Sequence, residues 1–378
     1  MLFVCTLKQL AAIKIATVVF SDPAIRGFEN LWGSSEERWG KYVREKLPKD
    51  FPTELHENIV AMMRPMSYEV ENWMQEHESI LDDDVEEFSF YWKGDGTIDR
   101  MKTINTLIDS KHLPIGFRFV LACNYLLDED VLRVWNDMPT GIQRKFLGSG
   151  VRRFCYGKAT ERNTGIWCSW YKNKYEKLLG TKLELDIAPY GWDDVSVQGN
   201  LPLKLPLEER FQMLLHILDE CSDSYIHRIC YFQMNTDQQK EALKIHPYHV
   251  LKSFLIWPGQ SLFIQMAKQT WEDLPKWHYS CLLHIILCQK ILLNWKDFNY
   301  VELLQNFWNE SPDDFKEYIK IDDVIFEPLM LVITRGYSAF PVLRRKYLLH
   351  QKRNFEKNAA ACYDKTSIIA RDNVPDDF

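Results

Sequence analysis

Apolar residues recur every three or four positions through most of the chain, and strand-like alternation never persists beside the hairpin turns it would need. The pattern predicts helices near 6–20, 53–63, 66–80, 97–110, 115–126, 129–137, 207–219, 261–272, 278–293, 298–308, 313–319 and 337–350. Least periodic is LELDIAPYGWDDVSVQGNLPLKLPLEER, broken by Pro189, Gly191, Gly199, Pro202 and Pro206. The expected chain is all-α. A helical lobe over 1–182 is followed by an irregular Pro- and Gly-containing connection over 183–206. A C-terminal helical lobe with a frayed tail covers 207–378.

Three corners share a grammar: VWNDMPTGIQRKFL, TWEDLPKWHYSCLL and FWNESPDDFKEYI. Each has a Trp (Trp135, Trp271, Trp308), an acid within two residues, Pro at plus four (Pro139, Pro275, Pro312) and an apolar residue at plus eleven (Phe146, Leu282, Ile319). CYFQMNTDQQKEAL is a degenerate fourth, with Tyr231 for the Trp and Asn235 for the Pro. The physical reading is a helix ending on a large ring, a tight break, and a new helix opened by Pro, whose missing N–H is harmless there. Trp308 lies 37 residues after Trp271, which lies 40 after Tyr231, spacings that suit helical-hairpin repeats. The expected fold is an irregular α-solenoid of stacked helical hairpins; three ordinary helix–Pro–helix corners are the alternative.

FVLACNYLLDEDVLRVW resembles the paired helices of an ankyrin unit, and CLLHIILCQ followed by FNYVELLQNFW resembles a second. The T-P-L-H opening and the inter-helix Gly of that repeat are missing, so the likeness is to a degenerate form. LKQLAAIKIATVVFSDPAI, WKGDGTIDRMKT and RFVLACNYLLDEDVLRVWNDM are similar to segments of a multi-copy helical protein family expanded in arachnids. That resemblance covers most of residues 7–140. It implies no known activity and supplies no catalytic residues.

Composition narrows the classes. At 46% hydrophobic and 26% charged, the chain is an ordinary folded protein. A net charge of −7 tells against nucleic-acid binding by the chain as a whole. Nine cysteines without a CxxC motif read as reduced, intracellular usage, and a cytoplasmic location is expected. Lys8 and Lys14 interrupt the apolar N-terminus, which therefore reads as a buried helix stopped by Asp22-Pro23 rather than a secretory leader. No apolar run reaches the ~18 residues of a membrane span, so no membrane partner is expected.

Charge is unevenly placed. Residues 69–87 hold nine carboxylates and no Lys or Arg. Residues 144–182 hold ten Lys or Arg against two Glu, interleaved with Phe154, Tyr156, Trp167, Trp170, Tyr171 and Tyr175. Cations between rings are what single-stranded nucleic acid wants, because charges track phosphates while rings stack on bases. The alternatives are an acidic protein partner, packing near the acidic segment in the next helix pair, or a solvated face whose rings belong to the core. Arg144, Lys145, Arg152, Arg153, Lys158, Arg162, Lys172 and Lys174 are the candidate binding surface.

Other motifs fail. His278, Cys281, His284 and Cys288 share one helical face, and four ligands on one helix cannot surround zinc tetrahedrally. YWKGDGTIDRMK places Tyr91, Lys93 and Lys102 where a calcium loop needs oxygens, so it reads as a turn with Thr97 capping the next helix. LGSGVRR fits neither a nucleophile elbow nor a phosphate loop. The expectation is a non-catalytic protein-binding scaffold without metal or cofactor; the alternative is nucleic-acid binding through 144–182.

Overall fold

The computed structural model describes residues 7–22, 36–81, 89–148, 151–155, 157–177, 195–321, 323–339 and 343. Among these, every regular element is a helix, and the only extended pairing is an isolated bridge between Trp92 and Ile98. In chain order the α-helices begin with α1 (Leu7–Phe20), α2 (Glu36–Lys46), α3 (Thr53–His77), α4 (Arg100–Asp109), α5 (Ile115–Asn124) and α6 (Asp128–Asp137). Next come α7 (Thr140–Leu147), α8 (Lys158–Lys177), α9 (Leu201–Lys204), α10 (Leu207–Glu220), α11 (Ser224–Gln233) and α12 (Thr236–Ile245). The last are α13 (Pro247–Ser253), α14 (Phe263–Ala267), α15 (Lys276–His284), α16 (Tyr300–Glu310), α17 (Asp313–Lys320) and α18 (Asp323–Arg335). A π-helical stretch, Ile285–Ile291, continues α15.

The chain divides into two compact units, each discontinuous in sequence. The first draws on 1–69, 94–97 and 214–378, the second on 70–93 and 98–213. In the second unit α5 packs on α4, α6 and α8. Trp135 lies at its centre, 1% exposed, stacked on Tyr171 at 4.2 Å and touching Phe119 and Phe146. In the first unit α13 packs on α11, α12 and α15, and α16 on α18.

The corners form by one local mechanism. Residue plus three caps the outgoing helix by donating its N–H to the carbonyl of the ring residue: Met138 to Trp135, Met234 to Tyr231, Ser311 to Trp308. Residue plus four then opens the next helix from an extended conformation, as Pro139, Asn235 and Pro312 do. Asn235 completes a reciprocal capping box with Gln238, which replaces the rigidity that Pro supplies elsewhere. Gln143 and Gln239, both at plus eight, donate side-chain bonds to the carbonyls of Trp135 and Tyr231. The degenerate corner is thus the closer structural match to the first.

Trp271 departs from the expectation. The helix expected over 261–272 is a 3₁₀ turn (Gly259–Leu262) and the short α14, and Trp271 is half-buried in the turn that follows. Thr270 causes the break, its hydroxyl bonding Ala267 O while its own carbonyl takes the Leu274 N–H. Ring packing near the third corner centres on Phe307, which meets Phe263, Trp271 and Tyr279, rather than on Trp308.

Two further expectations are corrected. Pro65 does not separate two helices but lies inside α3. Burial of Ile59, Met62, Met63 and Met66 around it outweighs the ~3 kcal/mol that an internal proline costs. Asp99, not Thr97, caps α4, accepting from the Lys102 N–H. The Thr97 hydroxyl is already donated to Asp95, whose turn needs Gly96 at φ +80°. The helix expected over 337–350 lies mostly outside the described residues, its start forming a 3₁₀ turn (Gly336–Ala339).

Candidate binding surface

Helix α8 sorts its residues by angle. Thr160, Asn163, Thr164, Trp167, Cys168 and Tyr171 follow helical spacing and are all buried, while Lys158, Arg162, Ser169 and Lys172 are exposed. The inward polar groups are bonded within the unit: Thr164 to the Thr160 carbonyl, Asn124 to the Thr164 hydroxyl, Tyr171 to the Val131 carbonyl. Arg144 and Lys145 stand exposed in the last turn of α7, where positive charge also complements the helix dipole.

Arg144, Lys145, Lys158, Arg162 and Lys172 are therefore outward cations, and none is in an ion pair among the described residues. Arg152 is the exception, its guanidinium 3.0 Å from Glu161. The side chains of Arg153, Lys174 and Tyr175, and all of Tyr156, lie outside the described residues. Trp167 and Tyr171 face the core and Trp170 is half-buried against both, so these three rings are not a free stacking platform.

Two buried polar clusters went unnoticed in the sequence. In the second unit Arg100 is ion-paired with Glu76 and bonds Gln198 at 2.5 Å. Gln198 donates to Glu76 at 2.8 Å, and Tyr125 lies 3.3 Å from Gln198. His77 Nδ1 is 2.6 Å from the Trp73 carbonyl and so carries the proton; Nε2 accepts from the Tyr125 hydroxyl at 2.7 Å. Burial pushes His77 down to about 3, so it stays neutral. The loop bearing Gln198 reaches Tyr125 only because residue 199 is Gly: a Cβ there would stand 2.6 Å from the Tyr125 carbonyl oxygen.

In the first unit Arg228 joins Glu69, at 2.5 Å, to the Trp257 carbonyl. Nearby in sequence to the π-helix, Asp297 Oδ2 accepts from Gln260 (2.8 Å) and Tyr300 (3.0 Å). Lys290 sits 3.7 Å over the Trp295 ring and Arg64 4.6 Å from it. Burial raises the Asp297 carboxyl, against the pull of Lys290. Each cluster neutralises its own charges inside a helical core, the geometry of a structural network.

No three His, Cys, Asp or Glu among the described residues could hold a metal. His284 and Cys288 lie 4.0 Å apart on the expected face. Six described cysteines are not disulfide-bonded, whereas Cys281 is, a departure from wholly reduced usage. Among the described residues no helix is long and apolar enough to cross a membrane. Set beside known proteins, the chain finds no counterpart: no protein-family profile, no curated protein and no solved structure matches it.

Proposed function

We propose that this chain is a non-catalytic interaction scaffold of helical hairpins that docks an acidic protein partner on the outward cations of α7 and α8. One observation carries the reading: among the described residues, five exposed cations there have no carboxylate partner, while Trp167 and Tyr171 between them are turned into the core. Among the described residues such a surface offers charge without a fully exposed ring. It is suited to carboxylates, whereas single-stranded nucleic acid would also draw on exposed rings.

The recurring corner supports the hairpin part of the reading, since one capping geometry joins α6 to α7, α11 to α12 and α16 to α17. A degenerate ankyrin-like solenoid and kinship with the arachnid helical family belong to the same proposal. So does a cytoplasmic setting, which rests on six described cysteines outside disulfides against one that is disulfide-bonded. The test is titration of the full chain with a labelled polyglutamate peptide and, in parallel, a labelled single-stranded oligonucleotide. Preferential peptide binding that weakens with salt is expected. Oligonucleotide binding that is tighter, and that drops on Trp170→Ala, would replace this reading with nucleic-acid recognition.

A further inference from the structure

Four histidines from three stretches of the first unit meet around α13. The His249 ring lies 5.0 Å from His227 on α11, 6.1 Å from His246 at the α12–α13 junction, and 6.4 Å from His278 on α15. His278 also stacks on Tyr248 at 4.3 Å and is covered by Trp277 at 3.6 Å. His227 is wholly buried; its Nε2 lies 2.6 Å from the Cys221 carbonyl, and its Nδ1 has no partner. His278 Nδ1 is likewise buried without a partner.

The surrounding charges favour neutral rings. Lys252 of α13 is buried, bonds the Ser222 carbonyl, and acts on both His227 and His249. Among the described residues the carboxylate acting on the group is that of Asp219 of α10, 3.5 Å from His246 and largely exposed. From α15 the cluster receives His278 itself, and from the segment before α11 the Cys221 carbonyl. Protonation would therefore add cations beside a buried cation, with one solvated anion to offset them.

We propose that this histidine cluster is an acid-sensitive latch: taking up protons releases α13 from α11 and α15 and uncovers the apolar side of α13. Tyr248, Val250 and Leu251, buried at neutral pH, would become accessible. Burial as the leading cause holds His249 and His278 down to about 4 and keeps His227 well below its ordinary value. For a base held below its ordinary value of 6.5, fold stability is full above that value and is lost as pH falls through it. The latch thus opens between about pH 6.5 and about pH 4.

Hydrogen exchange of the full chain, corrected for intrinsic rates, from about pH 7.5 to about pH 4.5 tests this. Peptides covering 246–253 should lose protection steeply, while those covering α5 and α6 change less. His249→Gln should reduce the acid-induced rise over 246–253 about tenfold at about pH 5. A flat profile in wild type, or an equal rise in the variant, would overturn the proposal. Should His249→Gln fail to fold, imidazole proton shifts in the wild type decide instead. His227, His249 and His278 titrating near their ordinary value would contradict the latch, and titration well below it would support it.

Discussion

The corner at Trp135 and the corner at Trp308 are built alike and dressed differently. Both end a helix with a ring residue whose carbonyl takes the N–H of residue plus three, and both restart it at a proline. Around Trp308 the lysines are matched: Lys268 with Glu310, Lys276 with Asp314, Lys316 with Asp313, Lys320 with Glu317. After Trp135, five exposed cations on α7 and α8 have no carboxylate within reach among the described residues. The joint is set by backbone caps and buried rings; the surface charge is not needed to make it. A surface that folding leaves unmatched is open to selection for binding.

The comparison can be broken first at the rings. Trp135→Ala should cost about 3–5 kcal/mol in chemical denaturation, because a fully packed ring is lost. Trp308→Ala should fall in the same range, and half-buried Trp271 near ~1–2 kcal/mol. Equal losses at all three would show that the turn position of Trp271 does not matter.

The second unit should also lose stability with acid, through His77. Its folded-state value of about 3 lies below the ordinary 6.5, so the neutral ring stabilises above 6.5 and this is lost as pH falls toward 3. About 2 kcal/mol should be gone at about pH 5, and His77→Gln should remove that dependence. A variant keeping the wild-type slope would shift the cause to other groups.

Smaller effects sharpen the likeness between corners. Gln143→Ala and Gln239→Ala should each cost about 0.5–1.5 kcal/mol, since each removes one side-chain bond to a ring-residue carbonyl. A loss at one and none at the other would separate the two corners. Least of all, Lys320→Ala should lower the unfolding free energy by under ~0.5 kcal/mol, because exposed pairs add little.

How much of this was legible in the sequence follows from the range of each interaction. Helix spacing and the Pro-opened corners are local, and Phe146, Leu282 and Ile319 are buried as the shared grammar requires. The acidic run over 69–87 misled in part: Glu69 and Glu76, seven residues apart on one face of α3, are buried partners of Arg228 and Arg100. Their spacing was a clue, but their partners lie far along the chain. His227, His246, His249 and His278 carry no shared motif and meet only through packing. The candidate cations were visible as a run; that Trp167 and Tyr171 turn inward required the angular order of α8.

Docking is decided at the α7–α8 surface. Binding of a polyglutamate peptide should be measured for wild type, for Arg144→Glu, Lys145→Glu, Lys158→Glu, Arg162→Glu and Lys172→Glu combined, and for a matched variant reversing Lys268, Lys276, Lys316 and Lys320. We expect at least a tenfold loss in the first variant, equivalent to about 1.4 kcal/mol, with affinity in the second kept. Equal losses in both, or none in the first, would contradict a docking role for the unmatched cations.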